Sequence, residues 1–184
     1  MPAHLVAPSV EYGLLSPMLI VFGVAVLGVL VEAFVPRRHR YPAQLALTLG
    51  GVIAAGVAVV CVARNLHGEG RAAVVGAVVL DAPALFLQGT ILLVGFLGIL
   101  LIAEREISTR SADAARGLDS FTPQASAVAG SVAEKLATKA GVMQTEVFPL
   151  TMLALGGMLL FPAANDLLTM FVALEVLSLP LYLL

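Results

Sequence analysis

Five stretches of almost unbroken apolar sequence limit what this chain can fold into. They run from about Leu14 to Phe34, Gln44 to Ala63, Ala84 to Ala103, Val147 to Phe161 and Leu167 to Leu184. Roughly 20 apolar residues, wound into a helix at about 1.5 Å each, match the ~30 Å hydrocarbon of a bilayer. In lipid every backbone N–H and C=O needs a partner within the protein, and a helix supplies it segment by segment. None of the runs alternates apolar with polar at period two, which excludes a barrel of strands. Composition agrees, since 60% of the 184 residues are hydrophobic and 12% charged, against about 25% charged in a soluble domain. So few polar side chains cannot coat a globule in water. The sequence predicts an all-α membrane protein of five transmembrane helices, with the lipid bilayer as its first partner. A net charge of −2 leaves no electrostatic footprint for nucleic acid.

Lys and Arg set the expected direction of the helices, because basic residues accumulate on the cytoplasmic side. Arg37, Arg38 and Arg40 lie between the first two runs, and Arg105, Arg110, Arg116, Lys135 and Lys139 lie between the third and fourth. Those two connections fall on the same side of the membrane. The opposite side carries only Arg64 and Arg71. This partition predicts an N-terminus outside and a fifth helix travelling inward. Met1 to Val10 contains no Lys or Arg and is not read as a signal peptide. The chain divides into three leading helices (1–103), a cytoplasmic connection (104–145) and two further helices (146–184). Within the connection, Ser131 and Glu134 have the spacing of a capping box before Lys135, Leu136 and Ala137, which predicts one short surface helix.

Most motifs lead to structure rather than chemistry. Gly68-Glu69-Gly70-Arg71-Ala72-Ala73 matches the G-x-G-x-x-A dinucleotide fingerprint, but that motif works only between a strand and a helix of a βαβ unit. Here it sits in a short loop between two spans. His4, His39 and His67 are scattered over termini and loops, and Cys61 is the single cysteine, so no disulfide, thiolate cluster or haem ligand pair is expected. The helix glycines (Gly23, Gly28, Gly50, Gly51, Gly56, Gly95, Gly98, Gly156 and Gly157) predict close helix packing. Glu32, near the end of the first helix and just before the arginines, reads as an interfacial carboxylate facing them.

Glu175 is different. Asp166 marks the entry of the fifth helix, and nine residues at about 1.5 Å each put Glu175 about 13 Å down it, near the middle of the hydrocarbon. An ionised acid there costs roughly 2.5–3.5 kcal/mol even on lenient insertion scales. Such a group faces a bundle interior or a hydrated cavity, pairs with a cation, or takes up a proton. An acid that alternates between the last two is a proton-transfer site. Ser178 and Tyr182 share its helix face at i+3 and i+7, which gives a thin polar stripe. Pro180 lacks an N–H and frees the carbonyl of Val176, a candidate water site. The plainer alternative is that Ser178 bonds its own backbone and Tyr182 anchors at the interface.

The stretch from Asn165 to Tyr182, and above all Leu174-Glu175-Val176-Leu177-Ser178-Leu179-Pro180-Leu181-Tyr182, closely resembles subunit N of bacterial NADH-quinone oxidoreductase, respiratory complex I. Glu146-Val147-Phe148 and Leu155-Gly156-Gly157-Met158 resemble the preceding helix of the same family, and Asp81 and Phe86 add to the likeness. The long 104–145 connection looks like an actinobacterial type. The resemblance implies the first part of an antiporter-like bundle of about fourteen helices, truncated here after the fifth. In it, the glutamate at position 175 pairs with a lysine on a later helix, in a proton path driven by quinone reduction elsewhere. It also implies other membrane subunits as partners and a plasma (inner) membrane location. Quinone, FMN and iron–sulfur clusters are then held elsewhere in the complex, with no cofactor on this chain. Two other readings stand beside it: a subunit of a cation/proton antiporter of the same superfamily, and a non-functional truncated fragment.

Overall fold

The computed structural model describes residues 10–67, 69–112 and 145–183. Five helices account for most of them: α1 (Tyr12–Phe34), α2 (Arg37–Leu66), α3 (Ala82–Ala112), α4 (Val147–Leu160) and α5 (Leu167–Leu183). The chain is an all-α membrane protein. The spans 12–34, 38–66 and 82–104 are long and apolar enough to cross a membrane, whereas Val147–Ala163 and Leu167–Leu183 are apolar but shorter. The helix expected around Ser131 lies outside the described residues. By contact the chain forms two units, Met1–Ile99 with Thr145–Leu184, and Leu100–Gln144. Of the second, the described part is the last stretch of α3.

Helix α1 starts without a side-chain cap after Glu11 and carries Pro17 near its start, where a missing N–H is tolerated. It ends at Val35, whose N–H still reaches the carbonyl of Val31 at 3.0 Å. Pro36 then turns the chain directly into α2. The three arginines predicted to lie in a connecting loop therefore belong to the first turns of α2. Only Val35 and Pro36 separate the two helices, so α1 and α2 form a tight antiparallel pair. Similarly, α3 continues to Ala112, past the boundary at Ala103 that hydropathy suggested.

The buried residues follow helical spacing. On α1 they are Leu14, Pro17, Met18, Val21, Val24, Ala25 and Gly28. On α2 they include Tyr41, Gln44, Thr48, Val52, Ala55, Val59, Val62 and Leu66. Helix α4 is the hub of the first unit, packing on α1, α2 and α5, with Phe148, Met152 and Leu159 almost wholly enclosed. The outward faces keep large apolar residues such as Leu27, Val29, Leu93 and Leu101 exposed, which is how a lipid-facing surface differs from a water-facing one.

Glycines set several of the close approaches. A Cβ on Gly51 would stand 2.5 Å from a Val24 methyl, one on Gly95 would meet Leu155 at 2.6 Å, and one on Gly156 would meet the Phe22 ring at 2.5 Å. Gly28 faces Pro149 in the same way at 3.0 Å. Gly23, Gly50, Gly56 and Gly98 have nothing within 4 Å of such a Cβ, so close packing explains only part of the glycine content.

The connection between α2 and α3 is not a plain loop. After His67 ends α2 in the left-handed region, strands β1 (Arg71–Ala73) and β2 (Val78–Leu80) pair antiparallel, with Ala73 opposite Val78. At their tip Val74, Val75 and Gly76 have φ of 52°, 57° and 89°. Left-handed backbone at a β-branched residue is strained by about 1–3 kcal/mol, and Val75 is 81% exposed. The hairpin is fastened to the α4–α5 connection by a Val78–Ala164 bridge. Asn165 adds to this by donating its N–H to the carbonyl of Ala77 at 2.9 Å and its Nδ2 to that of Gly76 at 2.8 Å. Strands 71–80 thus gather the end of α2, the start of α3, the end of α4 and the start of α5 at one end of the bundle.

Between α4 and α5 the close approach is to backbone rather than to a side chain. A Cβ on Gly157 would lie 2.5 Å from the Leu177 nitrogen and 2.9 Å from both the Ala173 carbonyl oxygen and Leu177 Cα. Backbone cannot yield as a flexible side chain can, so Gly157→Ala must push the two helices apart. It should lower stability by about 1–3 kcal/mol, as overpacking does, while Gly50→Ala is neutral or stabilising. Detergent-to-denaturant unfolding of the two variants measures the difference.

Candidate functional site

Helix α5 is started by Asp166, whose Oδ1 accepts the Thr169 N–H at 2.7 Å and whose Oδ2 accepts the Thr169 hydroxyl at 2.8 Å. These bonds, the backbone one first, hold the exposed Asp166 carboxyl below its usual range. Nine residues further on is Glu175. The helix lies against α4 through Ala173 and Leu177, the residues that flank Gly157. Glu175 is two residues from each, and at about 100° per residue that turns it about 200° away from both. Its carboxylate is accordingly exposed on the face of α5 opposite α4. That face is otherwise apolar, with Leu168, Phe171, Leu174 and Leu179 exposed beside it.

The predicted stripe is only partly assembled. Ser178 is half-buried, and its hydroxyl points back to the Glu175 main-chain carbonyl at 3.4 Å, the plainer of the two expectations. That distance is long for an O–H···O bond. Tyr182 is 84% exposed and shares the open face. Pro180 sits inside the helix and is buried, so it packs inward rather than lining Glu175. Among the described residues the Glu175 carboxylate has no hydrogen-bond or ion-pair partner. Nor do any three His, Cys, Asp or Glu side chains come together as metal donors among them.

A second carboxylate is built in the opposite way. Glu32 accepts a hydrogen bond from Arg40 Nη1 at 3.0 Å, from Gln44 Nε2 at 3.2 Å, and from the Thr145 hydroxyl at 2.7 Å and 2.9 Å. The expected arginine contact is present, and Arg40 is the residue that makes it. Arg40 also donates through Nε to the Val35 carbonyl at 2.7 Å, which closes the α1–α2 turn. Gln44 and Thr48 extend this polar patch inward: Gln44 Nε2 donates to the Gly28 carbonyl at 2.8 Å, and the Thr48 hydroxyl to the Gln44 carbonyl at 2.6 Å. Both side chains are essentially unexposed. A signal for Glu32–Arg40 was present in the sequence, since each is four residues from Pro36. Thr145 had none, being distant in sequence and ordinary in type.

Gln88 makes a comparable buried link, donating from α3 to the carbonyl of Leu159 on α4 at 3.0 Å. The Oε1 atoms of Gln44 and Gln88 are buried without a hydrogen-bond partner among the described residues.

Apolar helices fastened at both ends, with one carboxylate clasped at an end and another left open at mid-helix, define a polytopic all-α membrane protein. Its sequence places it further. The chain is 61% identical over 184 residues to the NADH-quinone oxidoreductase subunit N of Mycobacterium tuberculosis, covering 96% of this chain and 35% of that protein. It is 62% identical to that of Rhodococcus opacus, over 97% of this chain and 34% of the relative. With that of Acidothermus cellulolyticus it shares 54% identity over its full length and 33% of the relative. No family model matches it. The chain belongs to the family of NADH-quinone oxidoreductase subunit N, and it spans about a third of the length of the curated relatives it matches.

The Glu32 cluster should act as one unit. Glu32→Gln and Thr145→Val should each lower stability by about 1–3 kcal/mol, because each strands a partly buried polar group. The double variant should then show a coupling of about 0.5–3 kcal/mol. Unfolding of the four species in detergent tests this, and strict additivity would show that Thr145 and Glu32 are not joined.

Proposed function

We propose that this chain is part of a proton-translocating membrane subunit of NADH-quinone oxidoreductase, and that Glu175 is a group through which the proton moves. The supporting observation is a carboxylate midway along an apolar 17-residue helix, held away from α4 by a backbone contact. An acid at that depth is expensive when ionised and cheap when protonated, and a cation brought close reverses the preference. A side chain on an open helix face can meet such a cation from another element without rearranging α4. Movement of charge near Glu175 then alternately loads and empties it.

In this proposal the chain contributes no electron chemistry. Quinone, flavin and iron–sulfur clusters belong to other parts of the complex, whose membrane subunits are its partners. Reduction there drives the charge movement felt at Glu175. Ser178, Pro180 and Tyr182 have supporting parts only: Tyr182 shares the open face, and Pro180 leaves the Val176 carbonyl without its helical donor. The partition of Lys and Arg supports an N-terminus outside, and the likeness to bacterial relatives supports a plasma-membrane location. The clasp at Glu32 and the fastened hairpin gather the helix connections at the two ends that this topology requires.

The test is Glu175→Gln in the full-length subunit within its complex. Gln keeps the size and polarity of the side chain and cannot carry a proton on and off. NADH-driven proton pumping should fall by about tenfold or more, with the subunit still inserted and assembled. Undiminished pumping per electron in that variant overturns the assignment.

A further inference from the structure

A cavity lies far along the chain from Glu175, between the last turns of α2 and the first turns of α3. It has a volume of about 440 Å³ and is lined by Val59, Val60, Ala63, Leu66, Leu85 and Phe86, with Arg64 and Glu69 at its mouth. Its volume falls within the roughly 300–1,000 Å³ that encloses a small ligand. Val59, Leu66 and Leu85 are buried and form the floor, while Val60 and Phe86 are 51% and 74% exposed and form the open lips. Apart from Arg64 and Glu69 the lining side chains are apolar. Only an aliphatic chain gains from entering such a groove, and both flanking helices are membrane-spanning by length and composition.

The mouth determines what the aliphatic chain is attached to. Arg64 and Glu69 are both exposed, and among the described residues neither forms an ion pair. Neither is ion-paired with Asp81 or Arg71 among the described residues. Asp81 is engaged as the cap of α3, accepting the Ala84 N–H at 2.8 Å, and Arg71 lies on β1. The same groove is therefore lined by a guanidinium and a carboxylate besides its hydrocarbon side chains. A guanidinium selects a phosphate, and a carboxylate selects a donor cation.

We propose that this groove is a binding site for a phospholipid with a zwitterionic, primary-amine headgroup of the phosphatidylethanolamine type. One acyl chain lies along Val60 and Phe86, the phosphate sits on Arg64, and the ammonium donates to Glu69. A choline headgroup presents no N–H to the carboxylate, and a glycerol headgroup presents no cation. Glu69 thus selects against both.

The experiment reconstitutes the complete membrane complex into vesicles containing photoactivatable phosphatidylethanolamine, phosphatidylcholine or phosphatidylglycerol, each with a diazirine in the acyl chain. Labelled peptides are then mapped by mass spectrometry. Phosphatidylethanolamine should label residues 59–66 and 82–86 in preference to the other two. Glu69→Gln should lower that labelling roughly threefold while leaving phosphatidylglycerol labelling undiminished, and Arg64→Gln should lower both, as single rim charges warrant. Both side chains are exposed, so neither variant threatens the fold. Equal labelling by all three lipids overturns the proposal. So does labelling that avoids these segments, which would mean that a neighbouring helix fills the groove.

Discussion

The contact of α4 with α5 at Gly157 governs the rest of this molecule. Backbone meets backbone there, with the Leu177 nitrogen and the Ala173 carbonyl oxygen where a side chain would have to be. An approach that close fixes the rotation of α5 about its own axis as well as its distance. Once Ala173 and Leu177 face α4, helical geometry leaves Glu175 on the opposite side. The direction of the carboxylate follows from the missing side chain at Gly157, which meets α5 at Ala173 and Leu177, and from no interaction of Glu175 itself.

The rotation means something only if α4 is itself anchored, and it is tied near both ends. At its start Thr145 joins Glu32, Arg40 and Gln44, which ties it to the α1–α2 turn. At its finish Gln88 binds the Leu159 carbonyl, and Asn165 fastens the following connection to the 71–80 hairpin. Hydrogen bonds made away from water hold their geometry well, because breaking one strands both partners. Apolar packing along the middle of the helices supplies contact area but little directional information, since lipid tails are as apolar as the side chains they replace. Polar clasps therefore set the register and glycines set the spacing.

How much of this the sequence disclosed depended on the physics involved. Hydrocarbon thickness imposes a length on apolar runs, so the helices were legible and their core boundaries close. Their charged extensions were not: Arg37 to Arg40 wind into α2 because only Val35 and Pro36 form the turn, and hydropathy is blind to a helix that leaves the apolar layer. The 71–80 hairpin escaped notice because its strands are three residues long and its tip puts Val74 and Val75 where glycine or asparagine is ordinarily found. Glu32 facing an arginine was legible from spacing about Pro36, whereas Thr145 enters by tertiary proximity alone. For the candidate site, the position of Glu175 along its helix was evident from counting. The face it occupies required the Gly157 contact; Tyr182 shares that face, while the Ser178 hydroxyl turns back to the Glu175 main-chain carbonyl and Pro180 packs inward.

The proposed role rests on Glu175 changing its proton occupancy as the complex works. Infrared difference spectroscopy of the assembled complex, with and without NADH turnover, observes that change directly through the carbonyl stretch of the protonated carboxyl. The account predicts a turnover-dependent carboxylic acid band that disappears in the variant lacking the Glu175 acid. A Glu175 signal that stays the same through turnover would contradict it.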